Sequence, residues 1–178
     1  MFRPRILIHA PYGGKEARNG TWRALVEAQK AGKTRSIGVS NYGVHHLEEL
    51  EEYIKSGVGG SIDVGQYELH PWLPRSDIVE WLRKRNVVVQ AYCPLTRGQR
   101  MDEPVLQALA KKHNKTPAQI LLRWSLQKVS RFVWNLDRTE NLSLIMALNG
   151  YVGLCSAAEI RDSKPHRRKC GHFRFSIV

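Results

Sequence analysis

Lys33-Thr34-Arg35-Ser36-Ile37-Gly38-Val39-Ser40-Asn41-Tyr42 decides the fold. A helix is predicted to end at Ala31-Gly32, a basic turn follows, and a short apolar strand runs from Ile37 to Val39. A Ser40-Asn41 pair lands where that strand stops. The pattern recurs on both sides. Ile6-Leu7-Ile8-His9 lies before it, and Ile62-Asp63-Val64-Gly65-Gln66-Tyr67 and Val87-Val88-Val89-Gln90-Ala91-Tyr92 lie after it. Each is an apolar strand with a conspicuous polar or aromatic residue at its end. Polar groups at the C-terminal ends of parallel strands are where an α/β barrel keeps its chemistry.

Outward from these four strands the chain alternates. The pattern predicts strands over 6–10, 36–40, 62–66 and 87–92, and helices over 20–31, 43–55, 76–85, 102–113 and 117–128. Strands that are apolar almost throughout suit a parallel sheet covered by helices. Trp22, Leu25, Val26 and Gln29 hold a helical period, and Gly32 sits where a left-handed cap would fall. Leu47, Leu50 and Ile54 repeat that period until Ser56-Gly57 ends it. Thr116-Pro117 reads as an N-cap followed by proline at the first helical position, with Ile120, Leu121, Trp124 and Leu126 expected to face a core. Alternation of this kind argues for βαβ units with right-handed crossovers.

The chain has 178 residues, enough for one domain with a core. A complete eight-stranded barrel needs about 250 residues, so a partial barrel is the expectation. No apolar run approaches the roughly 20 residues that cross a bilayer. Met1-Phe2-Arg3-Pro4-Arg5 lacks the apolar stretch of a signal peptide, so a cytoplasmic location is expected. Cys93, Cys155 and Cys170 form no disulfide framework. The formal charge of +12 is dispersed among Glu48, Glu49, Glu51 and Glu52, without aromatic residues interleaved in a basic stripe. Neither nucleic acid nor a membrane is an expected partner.

The stretch Lys33 to Tyr42 resembles the signature of the aldo-keto reductase family, (β/α)8-barrel enzymes that reduce carbonyls with NADPH. The likeness continues through Leu7-Ile8-His9-Ala10-Pro11, Gln66-Tyr67-Glu68-Leu69-His70-Pro71 and Ala91-Tyr92-Cys93-Pro94-Leu95, and covers residues 6–128. It implies an α/β fold: part of a TIM barrel, roughly strands four to seven with their helices. It implies NADP(H) as cofactor and a small-molecule aldehyde or ketone as substrate. On this resemblance Tyr92 stacks on the nicotinamide, Ser40, Asn41 and Gln66 hold its carboxamide, and Leu95 lies along the cofactor. His9 matches the active-site histidine that orients the substrate carbonyl.

Structural roles compete with each of these. Tyr92 also reads as an aromatic plug at a strand end, and His9 as a structural histidine. Ser40-Asn41 also suits a turn and N-cap before helix 43–55. Tyr12 and Tyr42 read as packing residues, and His45, His46, His70 and His113 as surface or turn residues.

The family's general acid is a tyrosine supported by a lysine and an aspartate, all preceding the strand that carries the histidine. The sequence as written holds none of them before His9, and the chain is expected to be inactive on its own. The alternative is a non-catalytic barrel remnant that binds nucleotide weakly or self-associates through open strand edges.

Beyond Lys128 the alternation stops, and residues 129–178 read as a separate, aberrant tail. It lacks the Lys-Ser pair and following arginine that hold the adenosine 2′-phosphate in the family; Arg138-Thr139-Glu140-Asn141 is a faint echo of that region. Lys128-Val129-Ser130 can be encoded with an intron donor after the lysine codon. With permitted codons, residues 153–175 read one base forward as GFVPLPKSVTPNRIEENADIFDF, which resembles the missing segment. The tail is thus expected to be a retained intron followed by a shifted exon. A transcript sequenced across Lys128 checks this, and codons other than these end it. Cys155, His166, Cys170 and His172 have no usual zinc spacing, so no metal is expected. A Gly-rich phosphate loop is absent.

Overall fold

The computed structural model describes residues 5–128 and the backbone of residues 131–132. The elements are β1 (Arg5–Ile8), α1 (Gly14–Lys30), β2 (Ser36–Ser40), α2 (Val44–Tyr53), β3 (Val64–Glu68), α3 (Ser76–Lys84), β4 (Val88–Tyr92), α4 (Pro104–His113), α5 (Pro117–Lys128) and β5 (Arg131–Phe132). A π turn, Ile54–Val58, prolongs α2. The strands are all parallel and lie side by side in chain order. A doubly wound sheet reverses its strand order at a switch point. This one does not, so it is a stretch of barrel wall.

Side-chain alternation divides the sheet into two faces. Ile37, Val39, Tyr67, Val89 and Ala91 share one core with Trp22 and Val26 of α1, Leu47 and Leu50 of α2, and Ile78 and Leu82 of α3. Trp22 is fully buried, and its indole N–H donates to the Gly59 carbonyl at 3.4 Å. Gly38, Ser40, Gln66 and Gln90 fall on the alternate positions, aligned by the β2–β3 and β3–β4 registers.

The predicted punctuation has hydrogen-bonded form. Gly32 has φ 69°, with Gly32 N donating to Gln29 O and Lys33 N to Ala28 O, both at 2.9 Å. These paired bonds satisfy the last carbonyls of α1 and turn the chain into β2. At α5, Gln119 N donates to Thr116 Oγ1 at 3.3 Å and Thr116 N to Gln119 Oε1 at 2.9 Å, a reciprocal cap.

Several expectations are corrected. Helix α1 begins at Gly14 rather than residue 20. Asn19 and Gly20 are poor helix formers, but Arg18 between them and the helix start grips Glu49 of α2 with bonds of 2.7 and 2.8 Å, so tertiary pairing carries the helix through them. Leu126 is 50% exposed because it lies two residues past Trp124, off the stripe formed by Ile120, Leu121 and Trp124; buried Ser125 takes the inner place. Tyr12 is 79% exposed and packs nothing, whereas Tyr42 is buried as expected. The short β5 was not foreseen, since two residues carry no periodicity. The remainder of the tail, including Cys155, His166, Cys170 and His172, lies outside the described residues. Among the described residues no helix is long and apolar enough to cross a membrane.

Candidate functional site

Four strand ends bring the polar residues of the sequence together on one rim. Ser40 lies opposite Gln66, Gln66 opposite Gln90, and Glu68 opposite Tyr92 in the strand registers. His9 directly follows β1, whose Ile8 pairs with Val39.

A continuous run of hydrogen bonds joins them. Ser40 Oγ donates to the Gln66 carbonyl at 2.8 Å, and Asn41 N donates to the same oxygen at 3.2 Å. Asn41 has φ 61°, a left-handed conformation that asparagine tolerates better than most residues. Its Nδ2 donates to the His9 carbonyl at 2.9 Å and to Ser40 Oγ at 3.1 Å. From the far side, the Tyr92 hydroxyl donates to Asn41 Oδ1 at 2.8 Å. Asn41 is therefore the junction of the rim, tied to the residue after β1 and to β2, β3 and β4 at once.

The cap role foreseen for Ser40-Asn41 falls elsewhere. Gly43 is the residue before α2, and its N–H donates to His46 Nδ1 at 3.3 Å. Ser40 and Asn41 are spent on cross-strand bonds instead.

Tyr92 is partly buried, and its pKa is raised by burial first and then by the Glu68 charge. It keeps its proton and its donor role. The His9 imidazole is exposed, with no hydrogen bond among the described residues. Leu95 stands in the loop after β4; its carbonyl accepts from Gly98 N at 2.9 Å, and its place beside the rim follows from chain position alone. In that loop Cys93, Thr96 and Arg97 have φ of 49°, 49° and 54°, a cluster of costly backbone at the rim.

Two rim residues escaped the sequence reading. Gln90, 1% exposed, accepts from Gln66 Nε2 at 3.2 Å. A polar side chain inside an otherwise apolar strand was the available signal. Glu68 lies 3.4 Å from Nε2 of His70, which is a buried turn residue rather than a surface one. Burial lowers the His70 pKa despite that carboxylate. His46 is lowered too, by burial and then by neighbouring His45. Among the described residues no group of three or more His, Cys, Asp or Glu side chains could hold a metal ion.

The rim gathers polar side chains from neighbouring strand ends beside one aromatic. Beneath them lies the buried Gln90 amide, whose Nε2 has no hydrogen-bond partner among the described residues. Sequential parallel strands with polar C-terminal ends define a barrel-type α/β protein.

The chain belongs to the aldo/keto reductase family, whose model matches residues 6–149. That match runs past Lys128, where the resemblance read from the motifs stops. It is 45% identical over 161 residues to a glyoxal reductase of Bacillus subtilis, covering 80% of this chain and 55% of the relative. It is 46% identical over 123 residues to an uncharacterized oxidoreductase of Schizosaccharomyces pombe, covering 69% of this chain and 42% of that protein. Among solved structures, an aldo/keto reductase from Brucella melitensis superposes with a TM-score of 0.63 at 33% identity, over 73% of this chain and 48% of that one. The chain thus spans about half the length of the relatives it matches.

Proposed function

We propose that this rim holds the nicotinamide end of NADP(H) in the reduction of small aldehydes or ketones to alcohols. The observation that carries the reading is the single hydrogen-bonded run linking His9, Ser40, Asn41, Gln66 and Tyr92. Tyr92 would cover one face of the ring, Ser40, Asn41 and Gln66 would meet its carboxamide, and Leu95 would border it. When bound, the cofactor supplies a hydride. The chain's own part is to fix the ring's plane, with His9 on the open side where a carbonyl oxygen can approach. The glyoxal reductase relative supports a carbonyl substrate. The reading includes a cytoplasmic location and a first segment, residues 1–128, that carries the site.

Fluorescence titration with NADPH tests it. Tyr92→Ala is expected to weaken binding roughly tenfold, from lost stacking and apolar contact. Unchanged affinity in both Tyr92→Ala and Asn41→Ala would defeat the reading.

A second reading, a non-catalytic remnant that self-associates, is favoured by β1. It is an edge strand with both Arg5 and Ile6 exposed. Sedimentation should then show concentration-dependent association that Ile6→Lys removes, and a monomer at all concentrations counts against it.

A further inference from the structure

We propose that Gln90 is a positioning residue that fixes the orientation of the Gln66 amide, so that Gln66 presents its carbonyl oxygen to the ligand. The inference rests on the nicotinamide reading above and names a residue that reading does not require.

Gln90 stands directly across from Gln66 in the β3–β4 register, and Gln66 Nε2 donates to Gln90 Oε1 at 3.2 Å. A primary amide has a donor end and an acceptor end. With its NH2 engaged by Gln90, Gln66 has Oε1 left, which has no partner among the described residues. The other rim groups already have partners and can meet the carboxamide only through their remaining lone pairs. Asn41 Oδ1 receives the Tyr92 hydroxyl, Asn41 Nδ2 serves the His9 carbonyl, and the Ser40 hydroxyl serves the Gln66 carbonyl. Gln66 Oε1 is therefore the acceptor among these side chains that has no partner among the described residues, and the one best able to receive the N–H2 of a carboxamide.

The burial of Gln90 argues the same way. It is 1% exposed, and its own Nε2 is buried without a partner, an arrangement that costs stability. Its strand neighbours Val89 and Ala91 point to the opposite, helix-covered face, whereas Gln66 lies across the ladder on Gln90's own face. A methionine of similar volume would fill the space with no orphaned donor, so packing alone does not account for an amide here.

The test compares NADP+ with its 3-acetylpyridine analogue, in which a methyl group replaces the carboxamide NH2, by titration of intrinsic fluorescence. Wild type is expected to favour NADP+ about fivefold, the worth of one hydrogen bond. In Gln90→Met, which frees the Gln66 amide to turn, the preference is expected to fall to about unity. Gln90→Glu, whose ionised carboxylate can only accept, is expected to restore it at a pH that ionises the carboxyl. Circular dichroism verifies that each variant folds. In the unliganded wild type, the Gln66 side-chain amide protons are expected to exchange slowly by NMR, a readout that needs neither variant nor cofactor.

An unchanged preference in folded Gln90→Met, failure of folded Gln90→Glu to restore it, or rapid exchange at the Gln66 amide overturns this inference alone. A wild-type chain that binds neither dinucleotide overturns the nicotinamide reading and this inference together.

Discussion

Gly38→Val is expected to destroy the folded sheet, giving the largest loss of stability of any single change on the rim side. A Cβ at Gly38 would lie 2.0 Å from the Val64 carbonyl oxygen and 2.9 Å from Leu7 Cδ2. The first is backbone of the neighbouring strand in register with Gly38, so no rotamer change relieves it. Relief requires β2 and β3 to part, which breaks the ladder that aligns Ser40 with Gln66. Overpacking in a core typically costs about 1–3 kcal/mol. Here displaced ladder bonds add to it, at about 1 kcal/mol each. A native-like circular dichroism spectrum and an unshifted thermal midpoint in Gly38→Val would contradict the expectation. Gly38→Ala, with the same Cβ, is expected to show most of the defect. Valine's β-propensity thus makes no difference at this position.

The second large effect is on turnover. The 178-residue chain by itself is expected to oxidise NADPH with a reactive aldehyde about 10²–10⁴-fold more slowly than complete family enzymes, the usual deficit when a positioned general acid is missing. Tyr12 and Tyr92 do not fill that role. Tyr12 is 79% exposed. The Tyr92 hydroxyl is tied to Asn41 Oδ1, and burial and Glu68 both raise its pKa, so it parts with its proton reluctantly. No described residue hydrogen-bonds the exposed His9 imidazole to hold it for proton transfer. Steady-state absorbance at the reduced-nicotinamide band is the measurement. Turnover at the rate of complete enzymes would show that another group donates the proton.

Strand ends were the legible part of the site. An apolar run has a polar stop only where the backbone emerges from the core, so Ser40, Asn41 and Tyr92 were marked by their places. Helix boundaries at Gly32 and Thr116 were legible for a similar reason, because a left-handed turn and a hydroxyl cap each demand particular residues. The start of α1 was not, since Arg18 is anchored by a glutamate on the next helix. Leu126 misled because an apolar residue is a weak statement about burial when it sits off the helical stripe. Gln90 went unmarked because its partner, Gln66, lies on another strand.

The alternation of elements and the parallel sheet could be read along the chain, because apolar periodicity and capping residues act within a few positions of one another, and the family from the motifs at the strand ends. Which polar groups meet became visible in three dimensions alone: that Asn41 ties four neighbouring strand ends, that Tyr92 donates to it, and that Gln66 donates to Gln90. Range separates the two. A backbone preference is set by neighbours along the chain, whereas a hydrogen bond across strands depends on register, and register is settled by packing of the whole sheet against its helices.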